Sequence, residues 1–97
     1  MPNEERVKTE NKARRWFSEY LRQVTEDTSS EQFRKQVMDA SRTVFRKSLR
    51  NNEKLFSEIE EFVSEKRTAS EKKDFFDSVM RRLKKKIREE YLRKYPH

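Results

Sequence analysis

The chain contains no glycine and no cysteine, and its two prolines, Pro2 and Pro96, stand at its ends. Without glycine, a glycine-rich loop that cradles phosphate groups is excluded. Without cysteine there is no disulfide and no thiolate ligand for a metal, and this absence fits a reducing compartment. Because neither proline nor glycine interrupts residues 3–95, nothing in the backbone chemistry of that segment breaks a helix.

Histidine is also scarce, since His97 is the only one. A single imidazole at the end of the chain removes histidine-based acid–base catalysis and most transition-metal sites. Glu58, Glu61 and Glu65 lie on one side of a predicted helix, where we interpret them as a solvated acidic face that pairs with basic neighbours. We therefore expect a protein that is not an enzyme and that uses no metal and no cofactor.

Long hydrophobic runs are missing as well. No segment approaches the roughly 18 consecutive apolar residues of a transmembrane helix. The charged segment from Met1 to Lys12 has no apolar stretch for a secretory signal, and Glu4, Glu5 and Glu10 argue against a mitochondrial presequence. These absences favour an intracellular protein, cytoplasmic or nuclear, with no membrane span.

The chain is rich in charged residues, at 44%, while hydrophobic residues make up 31%. This composition is close to that of disordered chains, but the apolar residues recur at helical spacing, and seven phenylalanines and Trp16 bring large areas to bury. The pattern predicts an all-α fold with a single domain over residues 1–97. The expected architecture is a small antiparallel bundle of four helices. Residues 1–12, which have only Val7 for an apolar stripe, are the part most prone to fray or project from the body.

Capping signals set the predicted helix boundaries. The first helix is expected from about Asn3, its N-cap, to about Glu26, and the last from about Ser70 to about Tyr95. A capping box, in which a threonine hydroxyl accepts the N3 amide and a glutamate reaches back, is predicted twice, and in each box the neighbouring serine can shift the cap by two residues. The two boxes are Thr28-Ser29-Ser30-Glu31 and Thr68-Ala69-Ser70-Glu71.

The apolar stripes predict which side chains form the core. They place Trp16 and Val24 of the first helix, and Phe33 of the second, among the residues that face it.

The junction between the second and third helices admits two interpretations. Asn51 and Asn52 can serve as a left-handed C-terminal residue and a new N-cap, which would separate two helices. Alternatively, a heptad-like spacing that runs from Phe45 to Val63 would give three helices with a long middle helix of about 55 Å at 1.5 Å per residue. We favour the break. A continuous helix would expose a seam suited to a dimer, with Asn52 setting the register.

The net charge of +7 is unevenly distributed. Residues 31–52 carry a net charge of +4 and residues 71–97 carry +5, whereas residues 1–30 are neutral and residues 53–70 carry −2. Basic residues on the second and fourth helices recur at spacings of three and four, which places them in rows along the helix surface. Like charges at this spacing repel one another, so a sequence shaped for helix stability alone would alternate their signs.

Phosphate chains are the commonest biological surface that rewards such rows, through counterion release and charge-assisted hydrogen bonds. The leading hypothesis is a nucleic-acid-binding protein that contacts phosphates without reading bases, with the two rows on neighbouring, water-facing flanks. The candidate phosphate contacts are Arg42, Arg46, Arg50, Arg81, Arg82, Lys84, Lys85 and Arg88.

Two interpretations compete with nucleic-acid binding. Basic rows are often only a solvated helix face. The alternative function is a protein-interaction module, such as an adaptor, an inhibitor or an assembly subunit, whose bundle is completed by a partner. That partner would be an acidic protein or a second copy of the chain in a homo-oligomer.

Overall fold

The computed structural model describes residues 4–96 and consists of four helices joined by short connections. They are α1 (Glu4–Val24), α2 (Glu31–Asn51), α3 (Glu53–Val63) and α4 (Ala69–Lys94). The described residues contain no strand. The predicted all-α fold with four helices is therefore confirmed. Helix α1 packs against the other three helices, and α2 also packs against α3 and α4.

Asn52 alone separates α2 from α3. Its backbone is extended, with φ −131° and ψ 97°. Its N–H donates to the carbonyl of Ser48 at 2.9 Å, and its side-chain oxygen accepts the N–H of Leu55 at 3.0 Å. The predicted break is confirmed, whereas the left-handed residue expected at Asn51 is wrong, since no residue between Glu4 and Pro96 has a positive φ. One extended asparagine caps both helices because its two polar groups serve different helix ends.

Replacing Asn52 with alanine tests this double cap. The Asn52→Ala variant would leave the N–H of Leu55 without its acceptor, and we expect the free energy of unfolding to fall by about 0.5–2 kcal/mol. Chemical denaturation followed by far-ultraviolet circular dichroism measures the loss. The Asn52→Asp variant retains a side-chain acceptor and should stay within about 0.5 kcal/mol of the parent. Equal stability of all three proteins would refute the capping role.

The remaining helix starts agree only in part with the predicted caps. The capping box at Thr68 is confirmed, since Thr68 Oγ1 accepts the N–H of Glu71 at 3.1 Å while the Glu71 carboxylate accepts the N–H of Thr68 at 2.8 Å. The box predicted at Thr28 is wrong, because Ser30 caps α2 by accepting the N–H of Phe33 at 3.2 Å. This is the shift of two residues that the serine-rich segment allows. The predicted cap at Asn3 lies outside the described residues.

Phe76 of α4 lies at the centre of the core. It is completely buried, and its ring lies 5.8 Å from that of Phe17, 6.3 Å from Phe45 and 6.1 Å from Phe62, measured between centroids. It therefore touches rings of α1, α2 and α3 at once. Phe17 and Phe45 are themselves stacked at 4.1 Å. This aromatic cluster holds the four helices together where aliphatic residues are few.

Three residues predicted to face the core lie nearer the surface. Val24 is 42% exposed and Phe33 is 48% exposed. Val24 is the last residue of α1 and Phe33 stands in the first turn of α2, so both lie at helix ends, beyond the buried layer. Trp16 is half-buried and packs against the edge of the core through Phe62, with the two rings perpendicular at 5.9 Å.

The beginning of α1 is attached to the body of the bundle. The guanidinium of Arg6 donates to Glu53 at 2.9 Å and lies 3.9 Å from the ring centroid of Phe56. One turn further on, Glu10 accepts two hydrogen bonds from Arg50. Helix α1 thus extends from Glu4 through the segment for which the sequence suggested fraying, because charged residues replace the missing apolar stripe.

Asp77 links α1 to α4. Its carboxylate accepts the hydroxyl of Tyr20 at 2.6 Å and the ammonium of Lys73 at 2.8 Å. The bonds from Lys73 and then Tyr20 hold the pKa of Asp77 below its ordinary value, while burial and the bond to Asp77 raise the pKa of Tyr20 well above its own. The depressed pKa stabilises the folded state above the pKa of an unfolded aspartate, about 3.9.

We expect acid to weaken the bundle through this group. As the pH falls from about 5 through the pKa of folded Asp77, the stabilisation by the charged carboxylate is lost. The Asp77→Asn variant still accepts the Tyr20 hydroxyl but has no charge, so its free energy of unfolding should fall less steeply between pH 5 and pH 2. Denaturation curves at four pH values measure both slopes. Identical slopes for the variant and the parent would show that Asp77 contributes nothing to acid sensitivity.

Candidate nucleic-acid interface

Four cations on one side of α4 form a basic surface. Helix α4 turns Phe76, Val79 and Leu83 toward the core, so the positions opposite them face water. These opposite positions include Arg81, Lys84, Lys85 and Arg88, which are all exposed and line a single shallow groove. We call these four residues the α4 basic patch. None of the four has an ion pair or a hydrogen bond with any side chain among residues 4–96.

Arg82, which the sequence grouped with these cations, points to a different partner. Its guanidinium donates to Glu58 of α3 at 2.7 Å, so this candidate contact is already neutralised within the bundle. The geometry agrees with its place on the helix, since Arg82 lies about 100° around the axis from Arg81 and faces α3. Arg82 is therefore placed as a link between two helices and lies outside the patch.

The basic residues of α2 differ in their contacts with the neighbouring helices. Arg50 donates to Glu10 of α1 at 2.9 and 3.1 Å. Arg46 is half-buried, and Arg42 is exposed. Neither Arg42 nor Arg46 has an ion pair or a hydrogen bond within the described part of the chain.

The structure brings Arg42 together with two arginines of α1 that sequence reasoning missed. Arg14 and Arg15 line a groove of about 200 Å³ between α1 and α2, and Arg42 lines it from the other side. Residues 1–30 are neutral overall, and this balance concealed the local pair. The available signal was the Arg14-Arg15 dipeptide on a helix that also carries a core stripe.

The two predicted rows do not share a groove. Helices α2 and α4 do pack together, with Asp39 bonded to Lys94 at 2.6 Å and Tyr91 to Gln36 at 3.3 Å. However, the groove at the α4 basic patch is lined by α4 alone, whereas Arg42 lines a groove with α1. Seven of the eight candidates thus divide into an open patch of four, one residue of an arginine-lined groove and two internal ion pairs. The eighth, Arg46, is half-buried and belongs to none of these groups.

Acidic side chains of α3 and of the connection that follows it form ion pairs. Glu58 binds Arg82, and Glu65 lies 3.5 Å from Arg67. Within residues 4–96, no group of three or more histidine or carboxylate side chains is arranged to hold a metal ion. None of the four helices is both long and apolar enough to cross a membrane.

Comparison with known proteins does not identify a family or a function for the chain. No family model matches the chain, and no curated protein or solved structure matches it significantly.

Proposed function

We propose that this protein binds nucleic acid through the phosphate backbone, with the α4 basic patch as its principal contact. The observation that supports the proposal is that Arg81, Lys84, Lys85 and Arg88 stand together, exposed and without an ion pair among residues 4–96. Counterion release makes such a cluster favourable against a chain of phosphates.

The patch contrasts with the way many other cations of the bundle are used. Arg6, Arg50 and Arg82 each pair with a glutamate of another helix. Lys73 and Lys94 likewise pair with aspartates. In all, eight cations among residues 4–96 form ion pairs. The four cations of the α4 basic patch have none and lie side by side, so they repel one another along α4, and an external anion would relieve that repulsion.

The dimensions also suit a phosphate chain. From Arg81 to Arg88 the helix rises by about 10 Å, at 1.5 Å per residue. Phosphates of one strand of a duplex follow one another at about 3.4 Å along the axis, so the patch spans roughly three of them. Most hydrogen bonds between proteins and DNA go to phosphate and sugar oxygens, and a row of cations along one helix face suits contacts of this kind.

A titration at two salt concentrations tests the proposal. Labelled duplex and single-stranded 20-mers are titrated with the protein at 50 and 200 mM salt, and binding is followed by fluorescence anisotropy. With three or four phosphates neutralised, the affinity should fall about 20- to 150-fold between the two conditions. Absence of binding to either oligonucleotide at 50 mM salt would refute the proposal.

A second candidate is a protein-interaction module with an acidic protein as its partner. One observation favours it: Phe33 is 48% exposed and lines a surface groove with Tyr91 and Tyr95, which backbone contact with nucleic acid does not require. An apolar side chain in a polar surrounding is typical of protein contacts. This candidate predicts no oligonucleotide binding, whereas a change in solution molar mass on adding an acidic partner would support it.

A further inference from the structure

We infer that the groove between α1 and α2 binds a phosphate monoester through Arg14, Arg15 and Arg42. As a description of the natural ligand, the inference rests on the proposed function, because the monoester would be the phosphorylated end of a nucleic-acid strand. The groove is separate from the α4 basic patch, and its lining contains no residue of α4.

The positive charges that line the groove favour the binding of an anion. Three arginine residues from two helices line one small groove, and no acidic residue lines it with them. None of the three forms an ion pair or a hydrogen bond with another residue between Glu4 and Pro96. Three like charges at close quarters repel one another, and a bound anion converts that repulsion into attraction.

Asp39, a carboxylate that interacts with Arg42, is already bound by other groups. Arg42 interacts electrostatically with Asp39 on its own helix. The Asp39 carboxylate, however, accepts the ammonium of Lys94 at 2.6 Å and the hydroxyl of Tyr95 at 2.9 Å. Arg42 is therefore left with no direct anionic partner among residues 4–96.

The floor of the groove keeps its shape fixed. It is formed by Phe17 of α1 and Phe45 of α2, whose side chains are at most 1% exposed. Their rings stack with centroids 4.1 Å apart and an angle of 11° between the ring planes. Because the two helices are held together by this stack, the groove exists before a ligand arrives. Asn11 and Ser18 add polar groups that can hydrogen-bond to phosphate oxygens.

The number of guanidinium groups favours a monoester over a diester. A phosphate monoester carries about −1.5 to −2 charges at pH 7 and three strong acceptor oxygens. A diester within a nucleic-acid backbone carries about one negative charge and has one non-bridging oxygen fewer than a monoester. Arginine binds phosphate oxygens in a bidentate manner, so three arginines match the larger charge and the additional oxygen of a strand end.

Paired oligonucleotides test the inference with the full chain. A single-stranded 12-mer with a 5′-phosphate and the same 12-mer without it are titrated at 100 mM salt. We expect the phosphorylated strand to bind about tenfold more tightly, because it places a dianion in the groove. Equal affinity of the two strands would overturn the inference while leaving the proposed function intact.

Variants separate the groove from the patch. The Arg14→Gln/Arg42→Gln protein should lose the preference for the 5′-phosphate. The matched Lys84→Gln/Lys85→Gln protein, with the same loss of charge, should bind both strands more weakly but keep the preference. If both double variants lose the preference equally, the groove has no special role and the inference fails. Circular dichroism confirms that each variant is folded.

Inorganic phosphate gives a reading that is independent of nucleic acid. Its titration should shift the side-chain Nε–H signals of Arg14 and Arg42 in a ¹H–¹⁵N spectrum, and the shifts should saturate. Saturable shifts without oligonucleotide binding would support the groove while refuting the proposed function. Absence of shifts together with absence of oligonucleotide binding would refute both.

Discussion

Replacing all four cations of the α4 basic patch with glutamine is expected to weaken binding to a duplex oligonucleotide by at least about a hundredfold at 100 mM salt. The reason is that each neutralised phosphate contributes to the salt dependence, so removing four contacts should reduce the slope of log K against log salt by about 3–4. The variant is Arg81→Gln, Lys84→Gln, Lys85→Gln and Arg88→Gln. Fluorescence anisotropy at four salt concentrations gives both the affinity and the slope.

A second variant with the same loss of charge separates the patch from net charge. Lys8, Lys35, Lys54 and Lys66 are all exposed and are scattered along the chain from α1 to the connection after α3. Their replacement by glutamine also removes four positive charges, but it leaves the α4 basic patch intact. We expect its affinity to stay within about tenfold of the parent. If the two variants lose affinity equally, total charge governs binding and the patch has no distinct role.

Truncating Phe76 to alanine is expected to have the largest effect on stability. Its ring is completely buried among rings of the other three helices, so the variant loses the transfer free energy of the ring and leaves a cavity. The expected loss is about 3–5 kcal/mol, a large part of the 5–15 kcal/mol typical of a domain. Thermal unfolding should show a Tm lower by at least about 12 °C.

Phe33→Ala is the matched control, since it deletes the same ring from a surface position. Phe33 is 48% exposed, and its ring contacts Tyr91 edge-on at a centroid distance of 5.8 Å. We expect a loss of about 1 kcal/mol or less. A Phe76→Ala protein no less stable than Phe33→Ala would contradict the central position of Phe76 in the core.

Local chemistry is the reason that most of the fold follows from the sequence. The absence of internal glycine and proline leaves helix boundaries to side-chain caps, and the caps at Thr68 and Asn52 are short-range interactions that spacing reveals. The cap predicted at Thr28 is wrong because three hydroxyl residues in a row offer competing caps, and Ser30 is the one that accepts the N–H of Phe33. The exposure of Phe33 depends on where the core ends.

The candidate site is harder to predict because ion pairs join distant parts of the chain. Arg50 pairs with Glu10, forty residues earlier, and Arg82 pairs with Glu58, twenty-four residues earlier. Periodicity along one helix shows which cations share a face, but it does not show which carboxylates the neighbouring helices bring to them. The convergence of Arg14 and Arg15 on Arg42 escapes sequence reasoning for the same reason.

The most direct test of phosphate binding by the α4 basic patch is a ¹H–¹⁵N map of the protein titrated with an unphosphorylated duplex oligonucleotide at 50 mM salt. We expect the largest shifts to fall on residues 81–88 of α4 and to diminish as salt is added. Shifts confined to the surroundings of Phe33 or to α3, or a spectrum that does not change, would contradict this role of the patch.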